Sequence, residues 1–321
     1  MRWLPVALLV GCSTPVEPIR FPVVDDPPFQ VWEADSQVGT VLVSEQRGTL
    51  PAPIPVVLGL FAPAGEATLY AQVDEDRGCR LYDQRGPFFC DPACEEGSTC
   101  VDGECREPPP FVDAGRLTVE GQDAYELAPS PNYLFYGTGP VYESPGGADL
   151  FGPDASIHVS AAGAEFPGFT GTVAGVEPLD ADIEPGGIVM VPGIQDFVVR
   201  WDAPEAAPDD AAVTRVRLTL RTGETGHGAP PWHKLVCDVP DTGLLVVPGL
   251  LLSRLPRMVL PDLDREVACV GACAWSPSSL TRYRAESVPA ADGAVEIVAA
   301  SEILFWAYHP GPEPLAASRS W

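Results

Sequence analysis

The chain has 321 residues, of which 45% are hydrophobic, so it contains enough apolar side chains to form a folded core. Its 37 prolines and 31 glycines stay below the share typical of low-complexity disorder, but prolines this frequent interrupt long helices. The net charge of −26 argues against nucleic acid as a partner, because phosphate recognition needs clustered Lys and Arg. The composition therefore predicts an all-β protein built from many short strands.

The N-terminus is typical of an exported lipoprotein. An uncharged apolar segment from Trp3 to Val10 ends in Leu9-Val10-Gly11-Cys12. This ending resembles a bacterial lipobox, in which the cysteine is acylated after the signal peptide is cleaved before it. We therefore predict a signal peptide at 1–11 and palmitate-type acylation of Cys12. Ser13 follows the cysteine, which favours anchoring in the outer membrane, periplasmic or surface-facing. The alternative is an N-terminal strand with an incidental cysteine.

Residues 12–29 are rich in proline and show no apolar periodicity, so we predict an extended tether there. A small β part with a cysteine-rich segment is predicted at 30–107. Its short β-rich runs are Val38–Glu45, Pro55–Phe61, Thr68–Asp74 and Gly78–Tyr82. The segment Arg106–Pro110 has the composition of a linker.

An antiparallel β-sandwich, Ig-like in general architecture, is predicted at 112–310, followed by a flexible tail at 311–321. The predicted strands are Gly115–Glu120, Tyr133–Tyr136, Ser156–Ala161, Gly171–Val176, Asp196–Trp201, Val213–Arg221 and Gly293–Ala300. The last three alternate apolar and polar residues, a pattern typical of a sheet with one solvated face and a second sheet over the other. Arg215, Arg217 and Arg221 are assigned to that solvated face. One helical turn is predicted within Pro248–Leu255.

Eight cysteines remain besides Cys12, and export to an oxidising compartment favours disulfides. The candidates are Cys79, Cys90, Cys94, Cys100, Cys105, Cys237, Cys269 and Cys273. The run Cys90–Cys105 lacks the two-residue spacing of zinc sites, so we predict no metal. Five candidates precede the linker and three follow it. If all are oxidised, at least one disulfide crosses the linker; otherwise one free thiol remains on each side.

Three motifs also carry a family resemblance. They are Phe89–Cys94 with Gly103–Cys105, Val236–Gly243 followed by Val247 and Pro248, and Thr281–Val288 followed by Asp292–Val295. Together with the lipobox, they make the chain resemble a group of lipoproteins from myxobacteria and related high-GC bacteria. The resemblance implies a β-rich, disulfide-bonded envelope lipoprotein, and it brings no enzymatic activity with it.

We find no motif of a serine hydrolase, a zinc protease or a nucleotide-binding loop, so we predict no catalytic residue and no cofactor. Three other features are compatible with a bound ligand but also with an ordinary structural role. His227 and His233 near Glu224 are compatible with a metal site or with a loop carrying incidental histidines. The pairs Asp180/Asp182 and Asp262/Asp264 are compatible with Ca²⁺ or with solvated loops. Trp232 and Trp275 are compatible with stacking on a sugar or partner, or with anchoring loops.

The sequence thus favours a non-enzymatic cell-envelope lipoprotein, attached to the membrane through its N-terminal lipid. Its sandwich would bind an unknown protein or carbohydrate ligand or serve as a structural module. One alternative is an envelope hydrolase whose site is assembled from residues distant in sequence. Another is a secreted inhibitor or partner protein that uses the cysteine-rich segment.

Overall fold

The computed structural model describes residues 37–48, 52–62, 70–84, 92, 99–101, 104–106, 111–131, 139–143, 150–204, 214–222, 233–257, 278–290 and 293–310. The predicted signal peptide, tether and tail lie outside the described residues, as does the predicted strand Tyr133–Tyr136.

The described residues are almost entirely β-strand. In chain order the strands are β1 Gln37–Arg47, β2 Ile54–Phe61, β3 Tyr70–Asp76, β4 Cys79–Gln84, β5 Thr99–Val101, β6 Glu104–Arg106, β7 Leu117–Glu120, β8 Ala124–Leu127, β9 Ser130–Pro131, β10 Pro140–Glu143, β11 Ser156–Ala161, β12 Phe169–Ala174, β13 Ile188–Met190, β14 Phe197–Arg200, β15 Arg215–Thr222, β16 His233–Pro240, β17 Leu244–Val247, β18 Ser278–Ala290 and β19 Gly293–Tyr308. One helical turn, α1, spans Gly249–Leu252 between β17 and β18. The all-β prediction and the predicted helical turn are therefore confirmed.

Eleven strands form one large sheet. Ten of them follow the order β3-β4-β16-β15-β18-β19-β1-β2-β10-β9, and β13 also pairs with β19. Most neighbours are antiparallel, but β1 and β13 both run parallel to β19, so the sheet is mixed rather than purely antiparallel. Four strands from the C-terminal third lie side by side in this sheet, between the pair β3–β4 on one side and the pair β1–β2 on the other. The predicted division into a small β part at 30–107 and a separate sandwich at 112–310 is therefore revised, because both ranges share one sheet.

A tight turn makes β3 and β4 a hairpin at one edge of this sheet. Asp76 pairs with Cys79, which leaves Arg77 and Gly78 as the two turn residues. Both have positive φ, 50° for Arg77 and 75° for Gly78. Such turns match the right-handed twist of the flanking strands, and glycine adopts this conformation without steric cost. The turn sets the register that places Cys79 at the start of β4.

Two smaller units cover one face of the large sheet, which we call the covered face. A four-stranded sheet, in the order β12-β11-β7-β8, packs over β1, β2 and the first half of β19. The β14–β17 ribbon and α1 pack over β4, β15, β16 and the second half of β19. Strand β19 serves both cores: Val295 and Ile297 lie in the first, and Ile303 and Phe305 in the second. The layers form the predicted sandwich.

The opposite face, which we call the arginine face, carries Arg215, Arg217 and Arg221. Directly paired residues share a face, so Thr281 of β18 and Glu302 of β19 also lie there. Towards β1 and β2 the same face becomes apolar, and its buried side chains pack with Phe111 and Val141. The central strands are therefore buried on both faces. The alternating sequence pattern alone predicted burial of one face.

Candidate functional site

The arginine face holds a buried ionic cluster around Asp238. Arg217 donates to Asp238 Oδ2 from Nε at 2.8 Å and from Nη2 at 2.6 Å, and the Tyr283 hydroxyl donates to the same oxygen at 2.6 Å. Arg215 donates to the other carboxylate oxygen, Oδ1. The prediction that this arginine stripe is a solvated face is wrong for Arg217, which is only 9% exposed. Its charge is buried because Asp238, on the neighbouring strand β16, compensates it.

The Asp238 cluster is best explained as structural. Both oxygens of the buried carboxylate accept hydrogen bonds from side chains of strands β15 and β18, which hold it in place within the sheet. Burial raises the pKa of the Tyr283 phenol, so this hydroxyl stays protonated and remains a donor at neutral pH. A network this fully satisfied makes a sheet rigid rather than reactive.

A second ionic cluster lies on the covered face, where the two covering units meet. Arg282 donates from Nε to Asp241 Oδ2 at 2.7 Å, and the Trp201 indole donates to Asp241 Oδ1 at 2.6 Å. The remaining nitrogens of Arg282 bind the carbonyls of Pro178, at 3.0 Å, and Asp202. One guanidinium thus joins three separate loops to β18. This geometry also indicates a structural role.

The three histidines of the described residues bind separate partners and do not converge on one site. The imidazole of His233 binds Asp83 Oδ1 at 2.7 Å, and that of His309 lies 3.1 Å from the carbonyl of Pro256. His158 Nδ1 lies 2.9 Å from Thr172 Oγ1 on the outer surface of the four-stranded sheet. His227 and Glu224 lie outside the described residues, so the candidate pair His227/His233 is not tested.

Thr172, His158 and Glu120 form a row across three strands. His158 pairs directly with Thr172 of β12 on one side and with Glu120 of β7 on the other. The order hydroxyl, imidazole, carboxylate is that of a hydrolytic triad. All three side chains are exposed on an open sheet surface, and His158 and Glu120 form no hydrogen bond with each other. The carboxylate therefore does not orient the ring as a triad requires.

The remaining charged candidates show no metal site. Within the described ranges, no group of three or more His, Cys, Asp or Glu side chains is arranged to hold a metal ion. Asp180 and Asp182 are exposed, and Asp182 accepts the backbone N–H of Arg200 at 3.1 Å. The pair Asp262/Asp264 and the tryptophans Trp232 and Trp275 lie outside the described residues.

One predicted disulfide is present in the sheet itself. Cys79 of β4 and Cys237 of β16 are directly paired and joined by a disulfide, and both are fully buried. This bond crosses the linker, which is the first of the two alternatives that the parity of the cysteines left open. Cys105 is also disulfide-bonded. The cysteines that lie outside the described residues are Cys12, Cys90, Cys94, Cys269 and Cys273, and the side chain of Cys100 is not described either.

The β14–β17 ribbon presents an apolar outer surface that the sequence did not indicate. Ile194 and Leu250 are 73% and 72% exposed, and Val198 and Leu244 are also exposed. We call these four residues the apolar ribbon surface. Single exposed aliphatic residues are common, but several together mark an interaction site more often than chance. Alternation predicted the outward direction of Val198; Ile194 and Leu250 lie in connecting segments where no periodicity applies.

Comparison with protein-family models and with curated proteins finds no match for this sequence. No helix within the described ranges has the length and hydrophobicity needed to cross a membrane.

Proposed function

We propose that the chain is an exported lipoprotein of the bacterial outer membrane, anchored through Cys12, and that its β-sandwich is a non-enzymatic binding or structural module. The Leu9–Cys12 lipobox motivates the anchor. The observation that carries the proposal is the buried Cys79–Cys237 disulfide, because such bonds persist in oxidising compartments and are rare in the cytosol. The resemblance to envelope lipoproteins agrees with this assignment.

The chemistry of the described side chains supports a module that binds or stabilises rather than reacts. Asp238 and Asp241, two buried acids that form ion pairs with arginines, are held by donors on both carboxylate oxygens. A catalytic acid or base needs an exchangeable position facing a substrate. The apolar ribbon surface, in contrast, is exposed and suited to contact with another surface.

The anchor is tested by detergent phase partition of the full chain produced in a bacterium with lipoprotein-processing enzymes. We expect the wild-type chain to enter the detergent phase and the Cys12→Ser chain to stay in the aqueous phase. Cys105→Ser is the matched control, because it makes the same cysteine-to-serine change at a disulfide-bonded position and keeps Cys12. Mass spectrometry of the N-terminal peptide should find acyl chains on Cys12. Equal partition of the wild-type and Cys12→Ser chains would contradict the proposal.

The hydrolase alternative has one observation in its favour, the row Thr172–His158–Glu120. If this row is catalytic, the chain hydrolyses an activated ester such as p-nitrophenyl acetate, and His158→Ala abolishes the activity. We expect instead no difference between the wild-type chain and His158→Ala. A loss of ester hydrolysis in the variant would replace the proposed function with this alternative.

A further inference from the structure

The apolar ribbon surface is a strip in which two of the four residues lie on the ribbon and two lie at one end of it. Val198 pairs with Val246, and Leu244 pairs with Arg200, so Val198 and Leu244 are diagonal neighbours on the outer side of the ribbon. At the end of the ribbon, the backbone of Gly249 lies against the carbonyl group of Ile194, so the backbones next to Leu250 and Ile194 are close to each other. Ile194 and Leu250 are the two most exposed large aliphatic residues of the described part of the chain.

The charges around this strip differ from those of the chain as a whole. Two acids next to it are neutralised: Asp196 binds Arg77 at 3.2 Å, and Asp74 forms an ion pair with Arg254. The backbone N–H of Gly249 also donates to Asp196 at 2.8 Å, and this bond, together with Arg77, lowers the pKa of its carboxyl. The ion pairs reduce the negative charge at this end of the strip, where Arg77 is shared between Asp196 and Asp76.

Arg257 and Arg200 supply positive charge beside the apolar side chains. A Cβ atom placed on Gly193 would lie 3.6 Å from Arg257 Nη2, so this guanidinium rests against the residue that precedes Ile194. Arg200 flanks Leu244 on the ribbon. In the part of the chain that the structure describes, neither guanidinium forms an ion pair, although Asp182 lies close to the backbone of Arg200.

We propose that the apolar ribbon surface rests on the phospholipid membrane that carries the anchor, with Arg257 and Arg200 facing headgroup phosphates. The proposal rests on the proposed function, which keeps the chain at a membrane. Exposed aliphatic side chains flanked by arginines fit a bilayer interface, because the former enter the acyl boundary while the guanidiniums bind phosphate. Charges elsewhere on the chain are screened beyond about 8 Å at physiological salt.

The test uses the full chain with Cys12→Ser, so that no lipid anchor contributes. It is sedimented with vesicles of phosphatidylethanolamine and phosphatidylglycerol, with and without the added changes Ile194→Ser and Leu250→Ser. We expect the unsubstituted ribbon to bind and the double change to weaken binding by about tenfold or more, since removing two exposed aliphatic side chains loses on the order of that factor. Arg257→Gln should weaken binding as well, and more at low salt than at high salt.

The matched control is Ile188→Ser with Met190→Ser. These two residues are also exposed, but they pair with Trp306 and Tyr308 and therefore lie on the arginine face, away from the ribbon. The control should bind vesicles as the unsubstituted chain does. Equal weakening in both double variants, or no vesicle binding at all, overturns the proposal. So does self-association in sedimentation velocity that Ile194→Ser and Leu250→Ser abolish, because the strip would then join two copies.

The two experiments test the proposed lipid anchor and the proposed membrane contact of the strip separately. Detergent partition of the wild-type chain reports acylation of Cys12 alone, whereas vesicle binding of the Cys12→Ser chain reports the strip alone. Because the side chains substituted on the strip and in the control pair are exposed, each of these variants should keep the unfolding midpoint of the unsubstituted chain, which circular dichroism checks.

Discussion

Arg282 and Asp241 form an ion pair that is almost completely withdrawn from water, with 2% and 0% of their side chains exposed. Arg282 lies on β18, and Asp241 follows β16, which is not a direct neighbour of β18 in the sheet. The pair sits where the two cores of the covered face adjoin. Because the same guanidinium also binds carbonyls of two loops, it joins the large sheet to both covering units.

Asp241→Asn should destabilise the fold strongly. Both oxygens of Asp241 accept hydrogen bonds, one from Arg282 and one from Trp201. Asparagine would replace one of these oxygens with an NH₂ group, which is itself a donor and cannot accept the bond. It would also leave the buried charge of Arg282 without compensation. We expect a loss of about 3–5 kcal/mol in the free energy of unfolding, measured by equilibrium denaturation.

The control for Asp241→Asn is an exposed ion pair. Glu126 accepts from Arg116 at 2.8 Å, but about two thirds of each side chain is exposed. Glu126→Gln should change the free energy of unfolding by less than about 1 kcal/mol. Similar effects of the two substitutions would mean that burial does not strengthen the Arg282–Asp241 pair.

The Cys79–Cys237 disulfide should contribute substantially to stability. It joins residues 158 positions apart, and both sulfurs are buried. In the chain-entropy model a loop of this length corresponds to roughly 5 kcal/mol. We expect the double variant Cys79→Ala/Cys237→Ala to lose a comparable free energy of unfolding, and Cys105→Ala, which removes another bonded cysteine, to lose less.

The same disulfide predicts the behaviour of a chain cut between residues 107 and 110. In denaturant without reductant, the two pieces should migrate as one species, and reductant should separate them. The double variant should separate without reductant. Separation of the wild-type pieces in the absence of reductant would show that no bond crosses the linker.

Local patterns predicted about half of the strands, but not their pairing. Alternation placed Val216, Leu218 and Leu220 correctly on one face of β15, because a side-chain period of two is a local property. The parallel pairing of β1 with β19 joins opposite ends of the described chain and leaves no local signal. Strand β18 was not predicted as a strand, because polar and charged residues lie on both of its sides.

The buried arginines have a related explanation. A period-two pattern with Arg on one side predicts a solvent-exposed face unless an acid on the neighbouring strand compensates the charge. Which strand is the neighbour depends on the topology of the sheet, which the local pattern does not show. Asp238 and Asp241 lie in the motif Val236–Gly243, and Arg282 and Tyr283 lie in the motif Thr281–Val288. Two of the motifs that carried the family resemblance therefore meet in the fold and supply the partners of both buried clusters.

Gly171→Ala should destabilise the contact between the two sheets. A Cβ atom at Gly171 would overlap Ile297 Cδ1 and lie 2.6 Å from Val288 Cγ1. Ile297 is fully buried, so it cannot move aside without disturbing the core. We expect a loss of about 1–3 kcal/mol in the free energy of unfolding. Gly48→Ala is the control, because its Cβ would meet Leu304 Cβ at an ordinary 3.7 Å.

Glu302→Gln should stabilise the protein at neutral pH and lose this advantage in acid. Burial raises the pKa of the Glu302 carboxyl above its ordinary value of 4.5, against the opposing effects of the Arg221 charge and of hydrogen bonds from Ser279, Thr281 and Gln46. Gln46 donates to Glu302 Oε2 at 2.8 Å. A glutamine at position 302 can still accept this bond if its side-chain amide rotates so that the oxygen faces Gln46. The substitution therefore removes a costly charge with little loss of hydrogen bonding.

The sign of the pH dependence follows from proton linkage. Because the folded-state pKa of Glu302 is raised, the folded chain binds a proton more readily than the unfolded chain between that pKa and 4.5. The penalty from charged Glu302 is full above the folded-state pKa and disappears as the pH falls to 4.5. The difference in unfolding free energy between Glu302→Gln and the wild-type chain should therefore shrink with falling pH, measured by urea denaturation at several pH values. Glu126→Gln, at an exposed site, should show no comparable trend, and a difference that grows in acid would reverse the assigned direction of the Glu302 pKa.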